Sequence, residues 1–315
     1  MQTTLSNRPL INARPFLKWA GGKTQLLDEL AKRLPAEIQE CGVIENYVEP
    51  FVGGGAMFFC LKSKFEVKHA YLYDINPELV IGYTAIQKSP AGLIKNLKTL
   101  ENDYLGRDES DRVKLYYEIR DVYNRQLSDF NFDKYHKEWV TRTSQMIFLN
   151  KTCFNGLFRQ NSKGEFNVPF GKYKNPTICN EENIREVNKA LKNTTVRCGD
   201  FSLSKQHVEK GTFIYLDPPY RPLNETSSFT SYAKDGFDDN DQKRLANYFR
   251  DMSKRGAYLM LSNSDPKNEN PKDNFFEKLY KGFRIERAQA SRMINCKSSE
   301  RGPINELIIM NYGKN

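Results

Sequence analysis

Residues 47–61 run Tyr47-Val48-Glu49-Pro50-Phe51-Val52-Gly53-Gly54-Gly55-Ala56-Met57-Phe58-Phe59-Cys60-Leu61, and the order of these residue types decides the fold. Tyr47 to Phe51 reads as a strand, the three glycines as a tight loop, and Ala56 to Leu61 as a helix. A second strand follows, His69 to Tyr73, closed by Asp74. Asn76-Pro77-Glu78 then opens another helix, with a capping amide before a first-turn proline. Strand, glycine loop, helix, strand, acid is the opening of a Rossmann-like sheet. Such a loop lets a ligand approach backbone amides closely. Asp74 follows at about the twenty-residue spacing at which a carboxylate meets ribose hydroxyls. A glycine turn with no ligand is the competing reading.

Working outward, the sheet pattern pauses and resumes. Residues 85–192 change character: helical stretches rich in Tyr, Lys and Arg precede a turn-rich piece, residues 149–176, that lacks core periodicity. Thr195 to Cys198 then leads to Gly199-Asp200, and Thr212 to Leu216 is a short apolar run of the kind buried on both faces of a parallel sheet. Ala257 to Leu261 and Glu306 to Met310 read as two more strands. Upstream, Leu26, Leu27, Leu30 and Leu34 recur at helical spacing, which predicts a helix over about 24–34. The expected architecture is an α/β, Rossmann-like domain from 1–84 and 193–315, split by a mostly helical inserted recognition domain at 85–192.

The run Thr212 to Leu216 ends in Asp217-Pro218-Pro219-Tyr220. Ligands of open α/β sheets bind at this edge. The four residues suit methylation of a nucleobase amine. That amine's lone pair is delocalised into the ring, so acceptors must hold its two N–H groups while the lone pair turns to the methyl donor. Asp217 offers a carboxylate oxygen. Pro218 has no N–H and a fixed φ, so its carbonyl can be aimed rigidly. Tyr220 can stack on the base. Transfer from a sulfonium needs alignment and electrostatics more than covalent catalysis. A strand ending in a Pro-Pro turn with a solvated Asp is the bland alternative, disfavoured by the glycine loop upstream. That loop lacks the full G-x-G-x-x-G pattern, since Met57 and Phe58 follow Ala56, which favours S-adenosylmethionine (SAM) over NAD. Phe51, Gly53, Gly55 and Asp74 are its candidate contacts. Asp200 is a candidate acceptor for the cofactor's adenine amine, or a strand-end acid with no ligand.

Other classes are excluded by chemistry. A phosphate-binding P-loop needs a glycine separated by four residues from Gly22-Lys23-Thr24, and Leu17 stands there. Methylation at cytosine C5 needs a thiolate nucleophile, and no Pro-Cys pair exists. The 6 Cys and 3 His show no zinc-ligand spacing, so no metal is expected. Scattered cysteines and the lack of a continuous apolar leader or spanning run predict a cytoplasmic protein, associated with the nucleoid through DNA and not with membranes. The net charge of +9 favours a polyanionic partner. A merely basic soluble protein would carry it too.

Six stretches, in order, closely resemble the Dam family of adenine-N6 DNA methyltransferases. They are Phe16-Leu17-Lys18-Trp19-Ala20-Gly21-Gly22-Lys23, Val48 to Gly55, Asp74-Ile75-Asn76, Asn155-Gly156-Leu157-Phe158-Arg159, Gly164 to Lys174, and Asp217 to Tyr220. The resemblance spans nearly the whole chain. It implies SAM contacts at Trp19, Lys23, Asp74 and Asp217, with Asp217 as the catalytic acid. It implies double-stranded DNA carrying GATC as the partner. Lys18 would meet the first base pair; Leu157, Arg159 and Pro169 would read the second half of the site. Phe154, where the family often has Tyr, would enter near the flipped adenine, beside Asn155. Lys172 and Tyr173 fall in the same DNA-contacting stretch. Thr152-Cys153-Phe154 departs from the family pattern, and residues 298–303 match it loosely. A cognate restriction endonuclease acting on the same site, without a stable complex, is a compatible partner. Competing readings are an RNA adenine or protein-glutamine N-methyltransferase, and a catalytically silent DNA-binding protein on this scaffold.

Overall fold

The computed structural model describes residues 11–21, 26–221, 237–291 and 303–313. Its strands are β1 (Val43–Glu49), β2 (Glu66–Asp74), β3 (Thr194–Cys198), β4 (Phe213–Leu216), β5 (Tyr258–Ser264), β6 (Arg284–Ser291) and β7 (Pro303–Met310). Among the described residues they form one seven-stranded sheet in the order β3-β2-β1-β4-β5-β7-β6. β3, β2, β1, β4 and β5 pair in parallel, while β7 runs antiparallel to both β5 and β6. The mixed α/β architecture with a mostly parallel sheet is the Rossmann-like one expected from the sequence.

Every residue of β4 is buried, as a short apolar run at the centre of a parallel sheet requires. Alternate residues divide between two cores. Tyr47, Phe213, Tyr215, Met260 and Ile308 join the larger one. Val48, Ile214, Leu216, Leu261 and Leu307 join the other. Helices on both faces close these cores. α1 (Leu27–Ala31), α2 (Ala36–Cys41), α3 (Ala56–Lys64) and α4 (Pro77–Lys88) surround the first two strands. α4 starts as its sequence predicts: the Asn76 side chain accepts from the Glu78 N–H, and Pro77 fills the first turn.

Between β2 and β3 lie α5 (Pro90–Leu105), α6 (Glu109–Arg125), α7 (Glu138–Thr152) and α8 (Glu181–Ala190). α4 runs through residues 84 and 85, and α5 and α7 pack on it. Residues of α5, α6 and α7, including Leu93, Tyr116 and Phe148, belong to the core that also holds Tyr47 and Leu72. On the opposite face, α9 (Asp239–Lys254) and α10 (Phe275–Leu279) contribute Phe249 and Phe276.

The turn-rich piece departs from the expectation that it lacks core periodicity. Phe166, Val168 and Phe170 are buried while Asn167 and Pro169 are exposed. Isolated bridges Cys153–Phe170 and Gln160–Phe166 tie it into an irregular hairpin. The alternation is real but only five residues long, and a Gly-containing turn at Asn161–Gly164 comes directly before it. The strand β6 carries Arg284, Glu286 and Arg287 and was not expected. Charge is common on edge strands, where it discourages further pairing, so its pattern reads as surface.

Candidate active site

The carboxyl ends of the parallel strands gather an acidic row on one face. Asp74 closes β2, Glu49 closes β1, and Asp217 follows β4. Glu306 comes from antiparallel β7, opposite Ser264 of β5. Each lies two residues along from a member of the larger core: Leu72, Tyr47, Tyr215 and Ile308. Period-two alternation therefore puts all four on the same face. Glu49 is 2% exposed and accepts from the Tyr47 phenol at 2.8 Å. Burial pushes its carboxyl well above the usual range, and the nearby charges of Asp217 and Asp74 push it the same way. Such an edge favours a cation.

The glycine loop shapes the opening beside this row. Gly53 has φ of +47° and Gly55 φ of +73°, conformations that suit glycine. The Gly53 N–H donates to Asp74 Oδ2 at 2.9 Å, and Tyr83 donates to the Gly53 carbonyl at 3.0 Å. A Cβ on Gly53 would lie 3.0 Å from Trp19 Cδ1, and one on Gly55 would lie 2.5 Å from Tyr83 Oη. Trp19 thus covers the loop, and its ring stacks on Phe158 at 4.9 Å. Asp74 is pushed up to about 6 by burial, against N–H donors from Asn76, Gly53 and Ile75. Ile75 beside it is 67% exposed. An acceptor for hydroxyls, an uncovered apolar side chain and an acidic row fit a nucleoside that carries a positive charge. Phe51 packs on Phe201 and Phe237 under this region.

The D12 class of N6 adenine-specific DNA methyltransferases matches this chain over residues 19–294. The chain belongs to that family. Among its relatives, the type II methyltransferase M.MjaIII of Methanocaldococcus jannaschii is 50% identical, covering 96% of this chain and 100% of that protein. M1.LlaDCHI of Lactococcus lactis subsp. cremoris, also a type II methyltransferase, is 38% identical over 96% of this chain and 97% of its own. The DNA adenine methylase of Haemophilus influenzae is 34% identical, covering 96% and 95%. The chain is therefore an adenine-specific DNA methyltransferase, and its family uses SAM as methyl donor.

In this D12 methyltransferase the Asp217-Pro218-Pro219-Tyr220 turn sits where β4 meets the acidic row. Asp217 is half-buried, Pro218 buried and Pro219 exposed. The Pro219 carbonyl accepts from Gln242 Nε2 of α9 at 3.4 Å. Tyr220 donates its phenol to Glu306 Oε2 at 2.8 Å. Asp200 holds both a backbone and an arginine partner. It caps a short 3₁₀ turn through the Ser202 N–H, and both of its oxygens accept from Arg244 Nη2 at 3.0 and 3.1 Å. Burial raises its carboxyl most, yet Ser202 and Arg244 together bring it below the ordinary value.

The residues assigned to DNA come together on one hairpin and its support. Asn155 is left-handed, with φ of +57°, and its carbonyl accepts from Lys18 Nζ at 2.8 Å. Asn150 Oδ1 accepts from the Lys18 N–H at 2.9 Å, and its amide donates to the Gly156 carbonyl at 2.9 Å. Phe154 is 55% exposed and donates its N–H to the Pro169 carbonyl at 2.8 Å. Arg159 and Pro169 are exposed and Leu157 half-buried. Arg159 Nε donates to Asn167 Oδ1 at 2.8 Å, leaving the rest of its fork for other acceptors. Lys172 and Tyr173 are exposed beyond them. Lys23 and residues 298–302 lie outside the described residues.

Glu49, Glu306, Gln242 and Asn150 escaped the sequence reading. Glu49 stood inside a quoted motif, so its type and place were visible. Its facing depended on the strand's alternation. Glu306 needed the pairing of β7 with β5, which no local pattern states.

Proposed function

We propose that this methyltransferase moves a methyl group from SAM to adenine N6 within GATC in duplex DNA, after the adenine leaves the stack. The observation that carries the reading is the placement of Asp217-Pro218-Pro219-Tyr220 on the acidic edge that the glycine loop and Asp74 also face. When bound, SAM supplies a methyl group on a sulfonium. Trp19, Lys23, the amides around Gly53 and Gly55, Phe51 and Asp74 would hold it. Glu49 and Asp217 favour its positive charge. Asp217 accepts one N–H of the amine, the Pro218 carbonyl accepts the other, and Tyr220 presents its ring to the base. Extrusion is required because N6 cannot reach the donor from inside the duplex. Phe154 enters near the flipped adenine beside Asn155, and Lys18 meets the first base pair of the site. Leu157, Arg159 and Pro169 read its second half, with residues 85–192 as the recognition domain and Lys172 and Tyr173 on the backbone. The type II names of two relatives support a cognate endonuclease that cuts the same sequence.

The specificity reading is tested with duplexes in which each base pair of GATC is changed in turn. Arg159→Ala is expected to lower kcat/KM on GATC by about 10- to 100-fold, because a guanidinium fork on guanine contributes about 1–3 kcal/mol of discrimination. The loss should concentrate at one base pair, which the variant then no longer distinguishes. A uniform loss across all duplexes would assign Arg159 to phosphate contact.

The raised value of Asp74 predicts a pH dependence. Between the ordinary 3.8 and about 6 the unfolded chain has released a proton that the folded chain still holds, so this group lowers stability as pH rises through that window. Ribose hydroxyls donate best to the ionised carboxylate. SAM affinity is therefore expected to rise from pH 5 to pH 7, and Asp74→Asn, neutral throughout, should bind weakly with a flattened profile. Titration calorimetry across this range checks it. An unchanged slope in the variant would remove Asp74 from the ribose.

A further inference from the structure

We propose that Glu306, on the antiparallel strand β7, is a positioning residue for methyl transfer: it holds the Tyr220 phenol and so sets the angle of the ring that receives the adenine. The proposal rests on the reading of Asp217-Pro218-Pro219-Tyr220 as the turn that holds the base.

A tyrosine that follows two prolines at a strand end has its backbone constrained, but its ring can still turn about two side-chain torsions. An aromatic platform is useful for orientation only if that freedom is removed. Here the phenol donates to Glu306 Oε2 at 2.8 Å. Glu306 is itself 6% exposed, and β7 is anchored on both sides, opposite Ser264 of β5 and Ala288 of β6. The acceptor is therefore part of the sheet and not a mobile surface group. Burial raises the Tyr220 phenol well above its ordinary value, and the neighbouring Asp217 and Glu306 raise it further, which keeps the proton on the donor. A second support sits below it: the Tyr215 phenol and the Ser262 hydroxyl share a hydrogen bond of 2.8 Å, filling the same face between β4 and β5. On the far side of the turn, Gln242 reaches the Pro219 carbonyl. The turn is thus gripped from α9 at its backbone and from β7 at its ring. The hydrogen bond uses the ring's edge and leaves its faces for stacking.

This assigns work to β7, which lies beyond the matched family segment ending at residue 294. A carboxyl on an antiparallel strand reaches the active edge because its direction reverses. Position 306 near the start of β7 lies level with the ends of the parallel strands.

The test uses the full-length enzyme and a duplex it is first shown to methylate. Single-turnover rates are measured for Glu306→Leu, Tyr220→Phe, the double variant and Glu306→Gln, with SAM affinity and thermal melting alongside. Glu306→Leu and Tyr220→Phe should each slow transfer by about 10-fold, the scale of one lost hydrogen bond to a charged group. The double variant should be no slower than the slower single, because both remove the same bond. Glu306→Gln keeps an acceptor oxygen and should recover most of the rate. The slower rates should persist at saturating SAM, which separates a loss of transfer from any weakening of cofactor binding where the Glu306 charge is removed. With 2-aminopurine at the target adenine, Glu306→Leu should raise the emission of the flipped base, which is quenched when it stacks on a fixed ring.

A folded Glu306→Leu enzyme with wild-type rate and emission would overturn the proposal. So would a double variant slowed by the product of the singles. A change in melting temperature without a change in rate would make the bond structural and overturn it too. If Glu306→Leu does not fold, Tyr220→Phe decides: a wild-type rate overturns the proposal. Tyr220→Ala separates the two levels of the argument. A wild-type rate there would refute the turn as the base-holding site. A slow Tyr220→Ala with normal Tyr220→Phe and Glu306→Leu would refute Glu306 alone.

Discussion

Asp217→Ala is expected to lower the single-turnover methylation rate by roughly 10³-fold, the scale of losing a preorganised group that meets the reacting centre. The amine would lose the acceptor that turns its lone pair toward the donor. Asp217→Asn retains an oxygen without the charge and should fall between the two. The fold should not suffer. Asp217 raises the buried Glu49 and the phenols of Tyr215 and Tyr220 through its charge, so removing it relieves crowding of like charge. Melting temperature is expected to hold or rise while activity collapses, the trade-off of a strained active site. Rapid-quench methylation and thermal melting on the same preparations check both halves. A variant that loses activity and stability together would point to a structural role.

The second large effect concerns a buried ion pair and not a group assigned to the reaction. Arg142 of α7 and Glu78 of α4 form a buried ion pair, 0% and 1% exposed. Arg142 also donates to the Tyr123 carbonyl at 2.8 Å and lies over the rings of Tyr123, Phe130 and Phe132. Glu78→Ala would leave a guanidinium buried without its counter-charge, at a cost of about 3–5 kcal/mol. Arg142 offers no neutral form to escape into. Denaturant unfolding should show the loss as a lower midpoint. α7 ends at Thr152, directly before the hairpin that carries Phe154 to Tyr173, so DNA affinity should fall as well. A double change of both residues to apolar ones of similar volume should recover much of the stability. A loss below about 1 kcal/mol in Glu78→Ala would mean that water reaches the pair, as for exposed bridges.

What was legible in the sequence follows from how local each signal is. The glycine loop, the capped start of α4 and the Asp-Pro-Pro-Tyr turn are each signalled by a few adjacent residues, and the structure puts each at the strand end or helix start those residues predict. β4 was legible because full burial needs no alternation. Residues 166–170 were misread because their alternation is brief and the buried partners come from α6 and α7. The amide of Asn124, for example, pairs with the Phe166 backbone. The partner of Asp200 could not be read from the strand end alone: Arg244 lies 44 residues away in sequence and meets it in the fold. Glu306 makes the same point for function. Its role depends on strand order and direction, and those are long-range properties.

The central claim is transfer of a methyl group to adenine N6 within GATC. The direct measurement supplies labelled SAM with two duplexes of equal composition, one containing GATC and one with that order scrambled, and identifies the product nucleoside by mass spectrometry. The account predicts labelled N6-methyladenine from the GATC duplex and none from the scrambled one. Equal label in both would contradict the recognition assigned to Leu157, Arg159 and Pro169, and label on any nucleoside other than adenine would contradict the chemistry assigned to Asp217 and Pro218.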